Sequence, residues 1–311
     1  MIRAAALCLA LFAAAPASAQ PAQAATTPFV ETRTLVLAHD GRERSAIMDA
    51  APDLRDAPVL VALHGGIGSA GYIRRRAGVT LARRGWVVLW PEAVDDWSDG
   101  RVDASGRPFS EVDDVGFLRA LIEALAAEGT VDPDRVFFAG PSIGGMMTLR
   151  MLCEAPDLVA GAAIAIAAAP IGLDCPDGPP RPVLYLHGTA DAIVPEEGGR
   201  IAGSFLLARD RGSAEPVADT LARLAARNRC DGFAETALPD RVADDGSRVL
   251  RRDYLGCAAP LRHFVVEGGG HSWPGMRRSA MGEALIGATN QDISATAEIE
   301  RFFAEIAAQG G

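Results

Sequence analysis

Four stretches of this chain are apolar from end to end: "VLVAL" at 59–63, "WVVLW" at 86–90, "VFFAG" at 136–140 and "PVLYLHG" at 182–188. A strand with one solvated face alternates apolar and polar residues. A run with no polar position must instead be covered on both faces, which points to the interior of a parallel sheet. Amphipathic stretches of helical period lie between these runs, so the expected class is α/β: a mostly parallel central sheet with helices on both faces. Strands are expected at 33–38, 44–49, 58–63, 86–90, 135–139, 160–167, 182–186 and 261–267, and helices at 72–84, 111–128, 144–155, 217–228 and 291–308. The first two strands meet across Asp40-Gly41, a turn pair that predicts an antiparallel hairpin. Segments 92–110 and 188–216 read as long loops, and in such folds the loops at the carboxyl ends of strands build the sites.

Residues 1–19 are set aside from the fold. Arg3, the apolar stretch Ala4 to Ala15 and the Ala17-Ser18-Ala19 cleavage pattern read as a secretory signal, too short to span a bilayer. The remainder, 20–311, is expected to be one domain, released outside the cytoplasm. Four cysteines remain in it: Cys153, Cys175, Cys230 and Cys257. They allow three disulfide connectivities, of which sequence neighbours favour 153–175 and 230–257. A zinc site made of all four lacks any C-x-x-C pair. The formal charge of −10 disfavours nucleic acid and anionic membrane as partners. All 30 basic residues are arginine, which excludes a Schiff base, a P-loop lysine and a Ser-Lys dyad.

In "RVFFAGPSIGGMMTLRM", an apolar strand ends at Gly140, then come Ser142, Gly144 and a helix. G-x-S-x-G between strand and helix is the pattern of a nucleophile elbow, a tight turn that lifts a serine hydroxyl into a cleft. Partners on such a fold follow in the order acid, then histidine. Of the histidines after Ser142, His187 precedes the acid that its own strand end supplies, and His263 lies inside an apolar strand. His271, in "VEGGGHSWPG", stands just past a strand end on a glycine-rich loop and is the expected base. Asp191, in the loop after "VLYLHG", is the expected acid. The Ile143 N–H at the helix start is one expected oxyanion donor, and the loop "HGGIGSAG" supplies the second, Gly66 in preference to Ile67. No cofactor or metal is required, and the substrate expected is a small or oligomeric ester.

Two other readings compete. Gly66-x-Gly68-x-x-Gly71 matches the dinucleotide fingerprint, follows a strand and precedes a helix, with Glu92 available as a ribose acid, so an NAD(P)-dependent oxidoreductase is the rival class. A non-catalytic binding member of the same fold is the other.

With these residues placed, the chain resembles the exported α/β-hydrolase esterases grouped as poly(3-hydroxybutyrate) depolymerase-like and feruloyl-esterase-like (carbohydrate esterase family 1) proteins. The resemblance rests on "LHGGIGSA", "DDVGFLRALI", "VDPDRVFFAGPSIGGMM", "LHGTADAIVP", "AARNRC", "YLGCA", "GGGHSWPG" and "NQDISATAEIERFF". It implies Ser142, Asp191 and His271 as the triad, a Cys230–Cys257 bridge, and Trp97 and Trp273 lining the acyl or alcohol pocket. It also implies that Asp113 and Asp114 cap a helix and anchor a loop. The chain departs from the group at Ile143, where Asn is common, and at Gly66-Ile67-Gly68, where Cys or Thr followed by Gln is common.

Overall fold

The structure is a computed structural model that describes residues 29–66, 68–202, 210–276 and 279–308. The expected signal, 1–19, and Ile67 lie outside the described residues.

Among the described residues, ten strands form one sheet. Glu31–His39 (β1) and Arg42–Ala50 (β2) are the expected hairpin, paired antiparallel with His39 opposite Arg42. Asp40 and Gly41 carry φ of 50° and 67°, the double positive φ that a tight hairpin turn requires. The central strands are Ala57–Ala62 (β3), Val87–Pro91 (β4), Val131–Pro141 (β5), Gly161–Ala165 (β6) and Val183–Gly188 (β7). Gly199–Arg200 (β8) and Ser213–Ala214 (β9) pair as a small separate hairpin inside the expected 188–216 loop. Gly232–Ala237 (β10), Arg248–Leu255 (β11) and Leu261–Glu267 (β12) complete the set. The order is β1-β2-β4-β3-β5-β6-β7-β12-β11-β10. Pairing is parallel from β4 through β12 and antiparallel at both ends.

Side-chain alternation along the apolar runs explains their lack of polar positions. Val59, Val61, Leu89, Val136 and Phe138 face a core with Asp114–Ala127 (α2), Ile143–Glu154 (α3) and Val217–Arg227 (α4). Leu60, Val88, Trp90 and Phe137 face the other core, with Ala70–Ala77 (α1) and Ala295–Ala307 (α6). Phe302 and Phe303 of α6 are almost wholly buried there, each contributing about 1.5–3 kcal/mol of apolar burial. A short helix, Ala280–Ile286 (α5), lies between β12 and α6.

Boundaries moved where caps decide them. The expected helix 72–84 stops at Ala77 because Gly78 turns left-handed at φ 65°, and a separate 3-10 turn covers Leu81–Arg84. The expected 291–308 helix begins only at Ala295. Asn290 and Asp292 instead fold the preceding loop, bonding Ser247 Oγ at 3.0 Å and the Arg241 N–H at 2.6 Å. Cys153–Cys175 and Cys230–Cys257 are disulfides, so no thiolate among them is free to bind zinc. Among the described residues, no helix is long and apolar enough to cross a membrane.

Candidate active site

Strand β5 ends at Pro141 and α3 begins at Ile143, leaving Ser142 to reverse the chain alone at φ 54°, ψ −124°. Non-glycine residues rarely adopt this conformation, and strain of this kind gathers at functional sites. The flanking glycines are required by contact. A Cβ on Gly140 would stand 2.5 Å from the carbonyl carbon of Gly144, and one on Gly144 would stand 2.7 Å from the carbonyl oxygens of both Leu63 and His64. The Ser142 N–H donates to Ala165 O at 2.9 Å, tying the elbow to β6. Ile143 opens α3, where the first N–H groups have no helical acceptor and the helix dipole favours negative charge.

His271, after β12, and Asp191, after β7, converge on this serine. His271 Nε2 is 3.0 Å from Ser142 Oγ, and its Nδ1 is 2.8 Å from Asp191 Oδ2. The Asp191 side chain is fully buried and that of His271 is 12 % exposed. Asp191 Oδ1 accepts from the N–H groups of Ile193 and Val194, both at 2.8 Å, which fixes the carboxylate plane. The other two histidines that follow Ser142 lie apart from this contact chain. His187 is buried at 2 % exposure, with neither ring nitrogen hydrogen-bonded among the described residues. Desolvation lowers its pKa to about 4. His263 is likewise buried, not solvated, and meets Tyr185 edge-on with ring centres 5.5 Å apart.

The loop after β3 forms the opposite wall. His64 Nε2 accepts from the Ala93 N–H at 3.2 Å, so Nδ1 carries the proton and donates to Gly65 O at 2.9 Å. That assignment leaves Glu92, 3.4 Å from Nε2, as a neighbour and not an ion partner. Glu92 Oε2 instead accepts from the Ala70 N–H at 2.9 Å, and Ser69 Oγ accepts from Tyr72 N–H at 3.2 Å. The N-terminus of α1, where a pyrophosphate would rest in the dinucleotide reading, is therefore filled by the chain's own oxygens. Gly66 and Gly68 line the Ser142 cleft.

Trp97 is a correction. It lies outside the cleft lining, 1 % exposed, with its ring 5.1 Å from that of His64 and its Nε1 donating to His64 O at 2.9 Å. It is large and apolar with one donor, and it serves as a buttress under the loop. Trp273 does line the cleft, its Nε1 held by Thr296 Oγ1 at 3.0 Å. Asp113 caps α2 by accepting from Gly116 N–H at 2.8 Å. Buried Asp114 pairs with Arg44 at 2.6 Å and accepts from Ser98 N–H at 2.7 Å, which anchors the 92–110 loop.

The cleft has a volume of about 220 Å³. Besides the residues above, its walls include Ile143, Ile193, Ile201, Met276, Arg101 and Arg211. Sequence reasoning passed over both arginines, because an arginine in a loop reads as solvated. Behind Arg101 lies Asp99, whose carboxyl is pushed up to about 6 by burial against the opposing pull of Arg101. A larger hollow of about 380 Å³ opens beside the Cys153–Cys175 bridge, but it contains none of the three converging residues.

Residues 111–171, from the start of α2 past the elbow and β6, match the model of the prolyl oligopeptidase family. The chain is 32% identical over 293 residues to the putative esterase NocK of Nocardia uniformis subsp. tsuyamanensis, covering 90% of this chain and 83% of that one. It is 30% identical over 159 residues to feruloyl esterase B of Piromyces equi, covering 46% of this chain but only 28% of that protein. Among solved structures, acetyl xylan esterase from Aspergillus awamori superposes with a TM-score of 0.54 at 14% identity, covering 87% of this chain and 98% of that one. The sheet order, the flanking helices and the strand-to-helix elbow are those of an α/β-hydrolase. Within that class, the chain belongs to the esterase group of these relatives and is a carboxylic ester hydrolase.

Proposed function

We propose that Ser142, His271 and Asp191 are the catalytic triad of an exported serine esterase working through an acyl-enzyme. The observation that carries the reading is the unbroken chain of contacts from Asp191 Oδ2 through both ring nitrogens of His271 to Ser142 Oγ, at 2.8 and 3.0 Å. Ser142 Oγ attacks the ester carbonyl carbon while His271 Nε2 takes its proton. The carbonyl oxygen becomes an oxyanion, held by the N–H groups of Gly66 and Ile143. Collapse of this intermediate breaks the bond to the alcohol oxygen, which leaves with the proton from His271. Water then repeats the sequence on the acyl-serine and releases the acid. Asp191 holds the imidazole in its working tautomer and stabilises the imidazolium.

The substrates proposed are feruloyl and acetyl esters, after proteins named for feruloyl and acetyl xylan ester hydrolysis, or hydroxyalkanoate oligomers, after the resemblance carried by the sequence motifs. A short apolar cleft with Trp273 in its wall suits a small acyl group. Export is supported by two disulfides, which persist in oxidising compartments, and by the leader-like residues 1–19. The same reading makes 20–311 a single catalytic domain. Ser142→Ala is expected to cut p-nitrophenyl butyrate hydrolysis by at least about a thousandfold, with an unchanged circular dichroism spectrum. Residual turnover near wild type would refute the triad. A serine-directed phosphonate should label Ser142 in the wild type alone.

A further inference from the structure

Two guanidinium groups stand in the wall of an otherwise largely apolar cleft, and the mechanism above uses neither. Arg101 is 2 % exposed. Its Nε donates to Asp99 Oδ2 at 2.7 Å, its Nη1 donates to the backbone oxygen of Arg211 at 3.2 Å, and its plane lies 5.3 Å over Phe109. Its Nη2 is buried, has no hydrogen-bond acceptor among the described residues, and stops 3.6 Å from Asp96. Arg211 Nη1 donates to Asp96 at 3.1 Å and lies 3.5 Å from where a Cβ on Gly66 would stand, so this guanidinium sits against the oxyanion loop.

Stability does not account for the arrangement. A buried ion pair is commonly matched or bettered by an apolar side chain of similar volume, and an unmet N–H adds a further cost. A guanidinium does offer a rigid planar fork of donors that fits a carboxylate, and the field of the buried Arg101 side chain is screened less than that of a surface charge. Asp99 is committed to Arg101 from behind. Asp96 sits nearer the rim, its side chain 28 % exposed, where an arriving carboxylate can displace it into water.

We propose that Arg101 and Arg211 form a carboxylate subsite, and that the preferred esters carry a carboxylate a few atoms from the scissile bond. Short linear oligomers of hydroxy acids have this form at their acid end. Neutral feruloyl or acetyl esters would leave Asp96 in place and the buried Nη2 of Arg101 without a hydrogen-bond acceptor. The proposal rests on the Ser142 esterase reading and selects among its substrate classes.

Two matched ester pairs test it in the full-length enzyme at neutral pH. p-Nitrophenyl hemiglutarate against p-nitrophenyl pentanoate places the carboxylate on the acyl side. 3-Butanoyloxybutanoate against 2-pentyl butanoate places it on the alcohol side. The wild type is expected to favour the anionic member of at least one pair by about tenfold or more in kcat/KM, the worth of a hydrogen bond to a charged group. Arg211→Gln should abolish that preference and Arg211→Lys should retain part of it. The ratio is independent of the fraction of active protein, which phosphonate titration counts separately for each variant. Equal or lower turnover of the anionic member in both pairs, or a preference that survives Arg211→Gln, would overturn the subsite. A wild type inert toward all four esters would instead be a failure of the esterase reading.

Discussion

Asp191 divides its two oxygens between different partners, and that division makes a sharp prediction. Oδ1 is held by the N–H groups of Ile193 and Val194, while Oδ2 faces His271 Nδ1. In Asp191→Asn, the two backbone donors would keep the amide oxygen at the first position and turn the NH₂ toward His271. Nδ1 would then have to accept, leaving the proton on Nε2, where it cannot take one from Ser142. The expected result is a fall in kcat on the order of 10⁴, with the melting temperature nearly unchanged. A loss of less than about tenfold would show that Asp191 does not set the tautomer. The serine and its first glycine were legible in sequence because their cause is steric and local, a Cβ on Gly140 running into the Gly144 backbone, whereas Gly144 is required by the Leu63 and His64 carbonyls of another strand end. Trp97 was misjudged as a pocket residue because an indole near a site looks the same on paper whether it faces a ligand or supports a loop.

Strands β7 and β12 lie side by side and carry two histidines, His187 and His263, whose ring nitrogens have no hydrogen-bond partner among the described residues. Desolvation lowers their pKa values to about 4 and about 3. The unfolded chain binds their protons from the ordinary imidazole value near 6.5 downward, while the folded chain refuses them. Stability therefore falls as pH drops below about 6.5, at roughly 1 kcal/mol per histidine per pH unit, until the folded pKa is reached. Urea denaturation at about pH 7 and at about pH 5 should reveal the slope, and His263→Leu should flatten it; a slope unchanged in that variant would assign it to other groups. At this scale, the apolar strands announced themselves by continuity. β10 and β11 did not, because every residue of β10 is exposed and the hairpin is held by polar pairs such as Arg252–Glu235 at 2.7 Å. β10 is exposed along its whole length and β11 fully buries only Val249, so neither gives a continuous apolar signal to read.

Across the whole molecule, two disulfides add covalent ties, one outside the sheet and one across its edge hairpin. Cys153–Cys175 ties the end of α3 to the chain beyond β6 over a separation of 22 residues, and Cys230–Cys257 closes the β10–β11 hairpin over 27. In the chain-entropy treatment each contributes about 3 kcal/mol. Reduction should lower the melting temperature by several degrees for each bridge broken, and Cys→Ala pairs should separate the two contributions. A reduced protein that melts with the oxidised one would show that the sheet needs neither staple.

The amino-acid sequence by itself determined the α/β class, the hairpin at Asp40-Gly41 and the turn that carries Ser142. Each of these follows from a local rule: continuous apolar strands, a turn with positive φ, a serine that only glycine neighbours can accommodate. Only the tertiary structure decided what surrounds the serine. Arg101 and Arg211 are 110 positions apart and meet where the Arg101 guanidinium donates to the backbone oxygen of Arg211 and both approach Asp96, while Trp97 slides beneath His64 and not into the cleft. Long loops crossing the ends of a sheet are positioned by packing against one another, and no periodicity along the chain encodes which of their side chains will meet.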